Sequence, residues 1–390
     1  MPEINPEVLV WARESAGLTV AKAAKSLALG GAKSTPHDAL LQYEQGAKEV
    51  PRALLTKMAA TYRRPLLVFY LPEPPAVGQK GEDFRVVPDE IRLQSKGSLD
   101  ALVRDIYVRK EIIKSLLEDI DEAHPKGFVN NLDPALSAQN AAARLSELIN
   151  FDITTFRKCP KPEDAFSYLR KQVEGIGVFV LLIGNLGSHH TNIPVEVFRG
   201  FALADPVAPI TVINDQDAPA ARSFTLLHEL AHILLGATGL SGSRVEASIE
   251  RYCNDIASLI LMPAGEIEAV AWPVENEHRL IRAVSHYGRS INVSGSMVAY
   301  RLYSAGIITF DTWTNVSETL RALWLQQKAN SSKDREDGNG PSYYLVKRHK
   351  VGGALVNLVN RALREGALAV TKAAKVLGVK PANVYNLVGM

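Results

Sequence analysis

Cysteine is nearly missing from this 390-residue chain: Cys159 and Cys253 stand alone, too few for a disulfide framework. Long apolar runs are missing too. The longest, residues 178–183, falls far short of the roughly 20 residues a membrane helix needs. The first twelve residues carry Glu3 and Glu7 and no basic stretch before an apolar core, so no secretory signal is expected. A soluble, cytoplasmic protein with no membrane partner is the expectation. Hydrophobic residues make up 46% and charged residues 22%, a globular balance that excludes wholesale disorder. The length allows two or three domains.

The net charge of +2 hides an uneven distribution. Residues 1–70 carry nine Lys+Arg against six Asp+Glu, residues 71–280 twenty against thirty, and residues 281–390 fifteen against six. An acidic middle between basic ends suggests different partners for different domains. Lys22, Lys25, Arg63 and Arg64 in the first part, and Lys347, Arg348, Lys350, Arg364 and Lys372 in the last, are candidate phosphate contacts for duplex DNA. Plain solvation of helix faces is the competing account.

Punctuation divides the chain further. The run LPEPP at 71–75 stiffens the backbone and forbids helix, so residues 71–84 read as a linker. Before it, short helical patterns at 6–15, 20–29, 39–43 and 51–62 fill a domain at 1–70. Residues 85–275 change character twice: helices include 99–117 and 163–173, then strands follow at 177–183, 195–204 and 208–213. Helices return at Pro219 and continue to about Gln327, with a helical subdomain at 276–327. The polar, Gly-bearing stretch KANSSKDREDGNGPS at 328–342 reads as a second linker, and 343–390 as a C-terminal helical region. Helices around a small sheet within one segment indicate α+β. One weak repeat stands out: LTVAKAAKSL at 18–27 matches LAVTKAAKVL at 368–377. Each precedes a polar turn and another helical pattern, as in a helix-turn-helix unit or an ordinary helical hairpin.

Chemistry concentrates in FTLLHELAHILLG at 224–236. His228 and His232 are spaced i and i+4, so on a helix both imidazoles project from one face and can bind one zinc ion. Glu229, next to the first ligand, reaches the open coordination position and can take a proton from water there. Asp217 and Pro219 signal the start of this helix, Leu227, Leu230 and Leu234 its buried stripe, and Gly236 its end. Two histidines on an ordinary buried helix are the bland alternative.

Catalytic zinc needs a third protein ligand. The helical pattern at 244–261 offers Glu246 and Glu250, one turn apart on one face, and spacing does not choose between them. His278 and His286 are weaker candidates. Val245, Ile249, Ile256 and Ile260 form the apolar side, and the small Cys253 and Ala257 allow close packing on the first helix. Cys253 invites a redox role but reads better as a packing residue. Tyr252, His189 and His190 are candidate oxyanion donors, and the edge of a strand at 208–214 is a candidate platform for a substrate strand.

Four strings together, FRGFAL at 198–203, APITVIN at 208–214, RSFTLLHELAH at 222–232 and ERYCNDIASLILMP at 250–263, resemble the ImmA/IrrE family of metallopeptidases. The resemblance implies a zincin-like core of the gluzincin type, zinc held by His228, His232 and Glu250, one ion per chain, and Glu229 as general acid/base. It settles the third ligand on Glu250. It also implies an endopeptidase that cleaves a helix-turn-helix repressor, releasing stress-response or mobile-element genes. Other members of the family sit in toxin–antitoxin operons, so a cognate toxin is a candidate partner. INPEVLVWARESAGL at 4–18, LLQYEQG at 40–46 and YRRPLLVFYLP at 62–72 resemble the XRE-type DNA-binding domain often fused to these peptidases. Residues 28–37, with Gly30 and Gly31, are longer than the tight turn such domains place before the recognition helix. Residues 290–308 resemble the small helix-turn-helix after the peptidase core. A DNA-binding antitoxin that keeps the fold without turnover is the alternative, and the intact Glu229 argues against it.

Overall fold

The computed structural model describes residues 4–30, 35–74, 89–188, 191–236, 244–333 and 342–389. The chain divides into two compact units. Met1–Lys80, Phe84–Val108 and Asn185–Phe198 form the first; Gly81–Asp83, Arg109–Gly184 and Arg199–Met390 form the second.

In the first unit, helices α1 (Pro6–Ser15), α2 (Val20–Ser26), α3 (Pro36–Glu44) and α4 (Arg52–Thr61) are followed by a 3-10 turn at Leu66–Tyr70. Side-chain oxygens cap three of them: Asn5 accepts from the Glu7 amide, Thr19 from Lys22 and Thr35 from Asp38. Leu9, Leu40, Leu55, Met58, Tyr62 and Phe69 make the core. Beside it Arg13 Nε donates to Glu44 Oε1 at 2.7 Å, a buried pair that neutralises both charges. The long helix α5 (Asp89–Asp119) contributes its first part, up to Val108, to this unit. Gly97 makes that possible: a Cβ there would stand 2.2 Å from the Ala16 carbonyl carbon, so only glycine lets the backbones approach. The segments 84–108 and 185–198 therefore group with the N-terminal helices, whereas sequence patterning joins them to 85–275.

The second unit continues with α6 (Ala138–Leu148), α7 (Ile153–Lys158) and α8 (Pro162–Gly175), then strands β1 (Phe179–Leu182), β2 (Gly200–Leu203) and β3 (Ile210–Ile213). Spatial order is β1-β3-β2. β1 runs parallel to β3 with Phe179 opposite Ile210, and β2 runs antiparallel with Gly200 opposite Ile213. Every strand residue is buried, so both faces of the sheet are covered. Two expectations need correction. The strand expected at 195–204 begins only at Gly200, because Val197 closes a turn onto the Pro194 carbonyl. The expected edge at 208–214 contains β3, the central strand, whose backbone is already paired on both sides.

Helices complete the unit: α9 (Pro219–Leu235), α10 (Arg244–Leu261), α11 (Ala264–Glu268), α12 (Glu277–Ser290), α13 (Gly295–Ser304), α14 (Phe310–Lys333), α15 (Tyr343–Val351), α16 (Gly353–Arg364), α17 (Val370–Leu377) and α18 (Val384–Val388). The fold is mostly helical with one small sheet, hence α+β. Helix α14 runs on through 328–333, into the stretch read as linker; the remainder, 334–341, lies outside the described residues, as does 75–88. The Lys328 ammonium holds that end, donating to the Gln216 carbonyl at 2.7 Å and standing over the Trp324 ring. Among the described residues no helix is long and apolar enough to cross a membrane.

One buried polar group locks α7 against the later helices. Asn292, in left-handed geometry at φ 60°, donates its side-chain amide to the Cys159 carbonyl at 2.8 Å and the Phe156 carbonyl at 3.3 Å. Asn292→Ala takes the side-chain donor away from the Cys159 carbonyl and puts alanine at positive φ. A loss of about 2–3 kcal/mol is expected, read as a lower urea midpoint.

Candidate metal centre

Helix α9 follows the sheet directly. Pro219 occupies its first turn, and the Ala218 amide donates to Asp217 Oδ1 at 2.8 Å. Gly236 ends it at φ 66°, in the left-handed conformation that glycine adopts freely. The last carbonyls are taken up from outside the helix: Asn130 donates to Ile233 at 3.1 Å, and Asn131 and Leu132 donate to Leu234 at 2.8 and 2.9 Å. The expected stripe Leu227, Leu230 and Leu234 is buried, but so are Leu226 and Ile233. The helix is enclosed by α8, α10, β2 and β3, and its polar motif is carried inside.

His228 and His232 are 0% and 2% exposed, and their Nε2 atoms face each other at 3.0 Å. Glu250 on α10 closes the triangle, with Oε2 at 3.2 Å from His228 Nε2 and Oε1 at 3.1 Å from His232 Nε2. A tetrahedral cation with nitrogen and oxygen ligands at about 2.0–2.1 Å needs them about 3.3 Å apart. The three groups therefore fit one ion, and among the described residues they form the one such cluster. Charge favours a cation as well. Burial raises the Glu250 carboxyl, but the two imidazoles outweigh it and hold the group below the usual carboxylate range. Burial opposes a charged His232, yet the Cys253 thiol and the Glu250 carboxylate outweigh it and push the group up to about 11, so a proton competes with a cation for its nitrogen.

Glu229 is 2% exposed and lies against strand β2. A Cβ on Gly200 would stand 2.8 Å from Glu229 Oε1 and 2.7 Å from Thr225 Cγ2, so the absence of a side chain at Gly200 makes the room Glu229 occupies. Sequence reasoning passed over this residue; FRGFAL carries no motif that marks its glycine as part of the site. Gly200→Ala should displace Glu229 and lower catalysis about a hundredfold with metal content unchanged. Cleavage assays paired with elemental analysis would check this, and equal losses of both would contradict it.

The other candidates fall elsewhere. His278 and His286 lie exposed on α12, outside the cluster. The side chain of Glu246, and the whole of His189 and His190, lie outside the described residues. Tyr252 donates its hydroxyl to the Leu136 carbonyl at 2.8 Å, bracing α10. Cys253 is fully buried, and burial raises its thiol, which suits packing rather than thiolate chemistry. Phe224 forms an apolar wall, its ring 6.3 Å from that of His228 and 6.4 Å from that of Tyr300.

Comparison with known proteins bears on this part of the chain. Residues 186–303 match the peptidase M78 family, described as the IrrE N-terminal-like domain. Over 107 residues the chain is 35% identical to the radiation response metalloprotease IrrE of Deinococcus radiodurans and 34% identical to that of Deinococcus deserti. Those matches cover 25% of this chain and 32% and 37% of the relatives, so it spans about a third of the length of the curated relatives it matches. No solved structure matches. Together the motif helix, the His–His–Glu cluster and these similarities support the ImmA/IrrE family for the segment 186–303, as a metallopeptidase-type domain.

Proposed function

We propose that this chain is a zinc-dependent endopeptidase with a zincin-like core, acting on a helix-turn-helix repressor. The convergence of His228, His232 and Glu250 within 3.0–3.2 Å, with Glu229 buried beside them, carries the reading. His228, His232 and Glu250 would hold the ion. When bound, zinc supplies Lewis acidity, activating water and polarising a peptide carbonyl. Glu229 takes the proton from the attacking water and returns it to the leaving amine, and burial keeps its carboxylate close to the reacting atoms. The packed walls of α9, α10 and the sheet limit bulk water around that proton transfer.

A repressor as substrate rests on the family resemblance, while the match to radiation response metalloproteases supports the protease part alone; the helical N-terminal unit, read as XRE-type, is consistent with a protein that works among DNA-bound regulators. The test compares the proteomes of cells carrying the wild type and Glu229→Gln. One regulator cleaved only with the wild type is the expected result. An unchanged proteome together with full zinc occupancy would favour the antitoxin-like alternative instead.

A further inference from the structure

The repeat at the two ends is also a repeat in three dimensions. In the N-terminal copy, Ala28 sits at φ 53° after α2; its amide donates to Lys25 at 3.1 Å and the Leu29 amide to Ala24 at 3.0 Å. In the C-terminal copy, Gly378 sits at φ 64° after α17; its amide donates to Lys375 at 3.2 Å and the Val379 amide to Ala374 at 3.0 Å. The copies then diverge. The N-terminal one needs residues 29–35 to reach α3, part of which lies outside the described residues. In the C-terminal one Val379 and Lys380 alone lead to the 3-10 turn Pro381–Asn383 and α18. A short turn carrying a left-handed glycine between two packed helices matches the helix-turn-helix connection.

The surrounding residues complete a trihelical unit. Leu355 and Val359 of α16 and Ala374 and Leu377 of α17 are buried, as are Val384 and Leu387 of α18. Tyr344 on α15 accepts from Asn386 Nδ2 at 3.0 Å and fixes the second helix in place.

Charge separates the two copies as well. Helix α3 begins with exposed Asp38, which hydrogen bonds from Thr35 and His37 hold below its usual pKa and therefore charged. Arg64 is turned onto the Trp11 ring and Ser15, away from any phosphate surface. The C-terminal copy has no acidic residue from 366 to 390. Lys372 and Lys380 are exposed on α17 and the turn, with Tyr385 48% exposed beyond them. Arg348 lies beside Gly389 at the end of α18. Three other cations do not count toward the surface: Lys350 pairs with Asp215, Arg361 with Glu122, and Arg364 donates to Asn360.

We propose that α17, its turn and α18 form a duplex-DNA-binding surface, with Lys372, Lys380 and Arg348 on phosphates and Tyr385 against the groove. Contacts of this kind position a protein on the backbone and read little sequence. Three neutralised phosphates give a log–log salt slope of about −2.7, so affinity should fall about 40-fold between 50 and 200 mM salt.

The test is fluorescence anisotropy of the full chain with a labelled 24-base-pair duplex of arbitrary sequence. Lys372→Glu with Lys380→Glu should weaken binding at least about tenfold and flatten the slope by about two. The milder Lys372→Gln with Lys380→Gln should show a smaller loss in the same direction, and Lys22→Glu with Lys25→Glu should leave affinity within twofold. Thermal melts and metal content of each variant confirm the fold. No binding at 50 mM salt overturns the proposal. So does a loss that follows Lys22 and Lys25 instead, or competition by polyglutamate as effective as duplex at equal charge, which would assign the surface to an acidic protein.

Discussion

Glu229→Gln is expected to keep its metal and lose proteolysis by about a thousandfold or more, within the range general acid–base groups contribute. Glutamine fills the same space beside Gly200 and Thr225, so the ligand triangle is left undisturbed. It cannot accept a proton at neutral pH, and the attacking water then has no base. His228→Ala should behave oppositely and lose the metal itself. That imidazole is completely buried and supplies one of three converging ligand atoms, and alanine leaves only two. Elemental analysis of purified variants, beside cleavage of the regulator found by proteomics, separates the two outcomes. Equal metal loss in both variants would contradict the division of roles.

Glu250→Ala should weaken metal binding by well over about a hundredfold, beyond what changes to outer hydrogen-bond partners cost, whereas Glu246→Ala should stay within a few-fold. Both oxygens of Glu250 already face the imidazoles at 3.1 and 3.2 Å. Glu246 stands one turn earlier on the same helix, its side chain outside the described residues, and the ligand atoms that converge are those of His228, His232 and Glu250. Competition titrations with a chromophoric chelator would measure the difference. Anomalous scattering that placed Glu246 within coordination distance and Glu250 outside it would reverse the assignment.

Legibility differed by element. Helices α1 and α10 begin and end where their punctuation puts them, because Asn5-Pro6, Gly17 and Pro263 act through local backbone sterics. Strand β2 was legible only in part: Val195 and Val197 have strand-like side chains, but the turn from Pro194 consumes their backbone. The end of α14 was misplaced because polar residues such as Gln326 and Lys328 are good helix formers, and a contact with Gln216, distant in sequence, holds them.

By itself the sequence determined the motif helix, since i and i+4 spacing places two imidazoles on one face whatever surrounds them. It also pointed to the ligand set behind the proposed chemistry, because histidine, histidine and a nearby glutamate are metal-ligating types before any packing is known. Spacing did not choose between Glu246 and Glu250; the resemblance did, and Glu250 then proved to close the triangle through the packing of α10 on α9. The tertiary structure alone decided that β3 is a central strand and that Gly200 makes room for Glu229. Each of these depends on residues far apart in the chain reaching van der Waals contact, and no local pattern encodes such a distance.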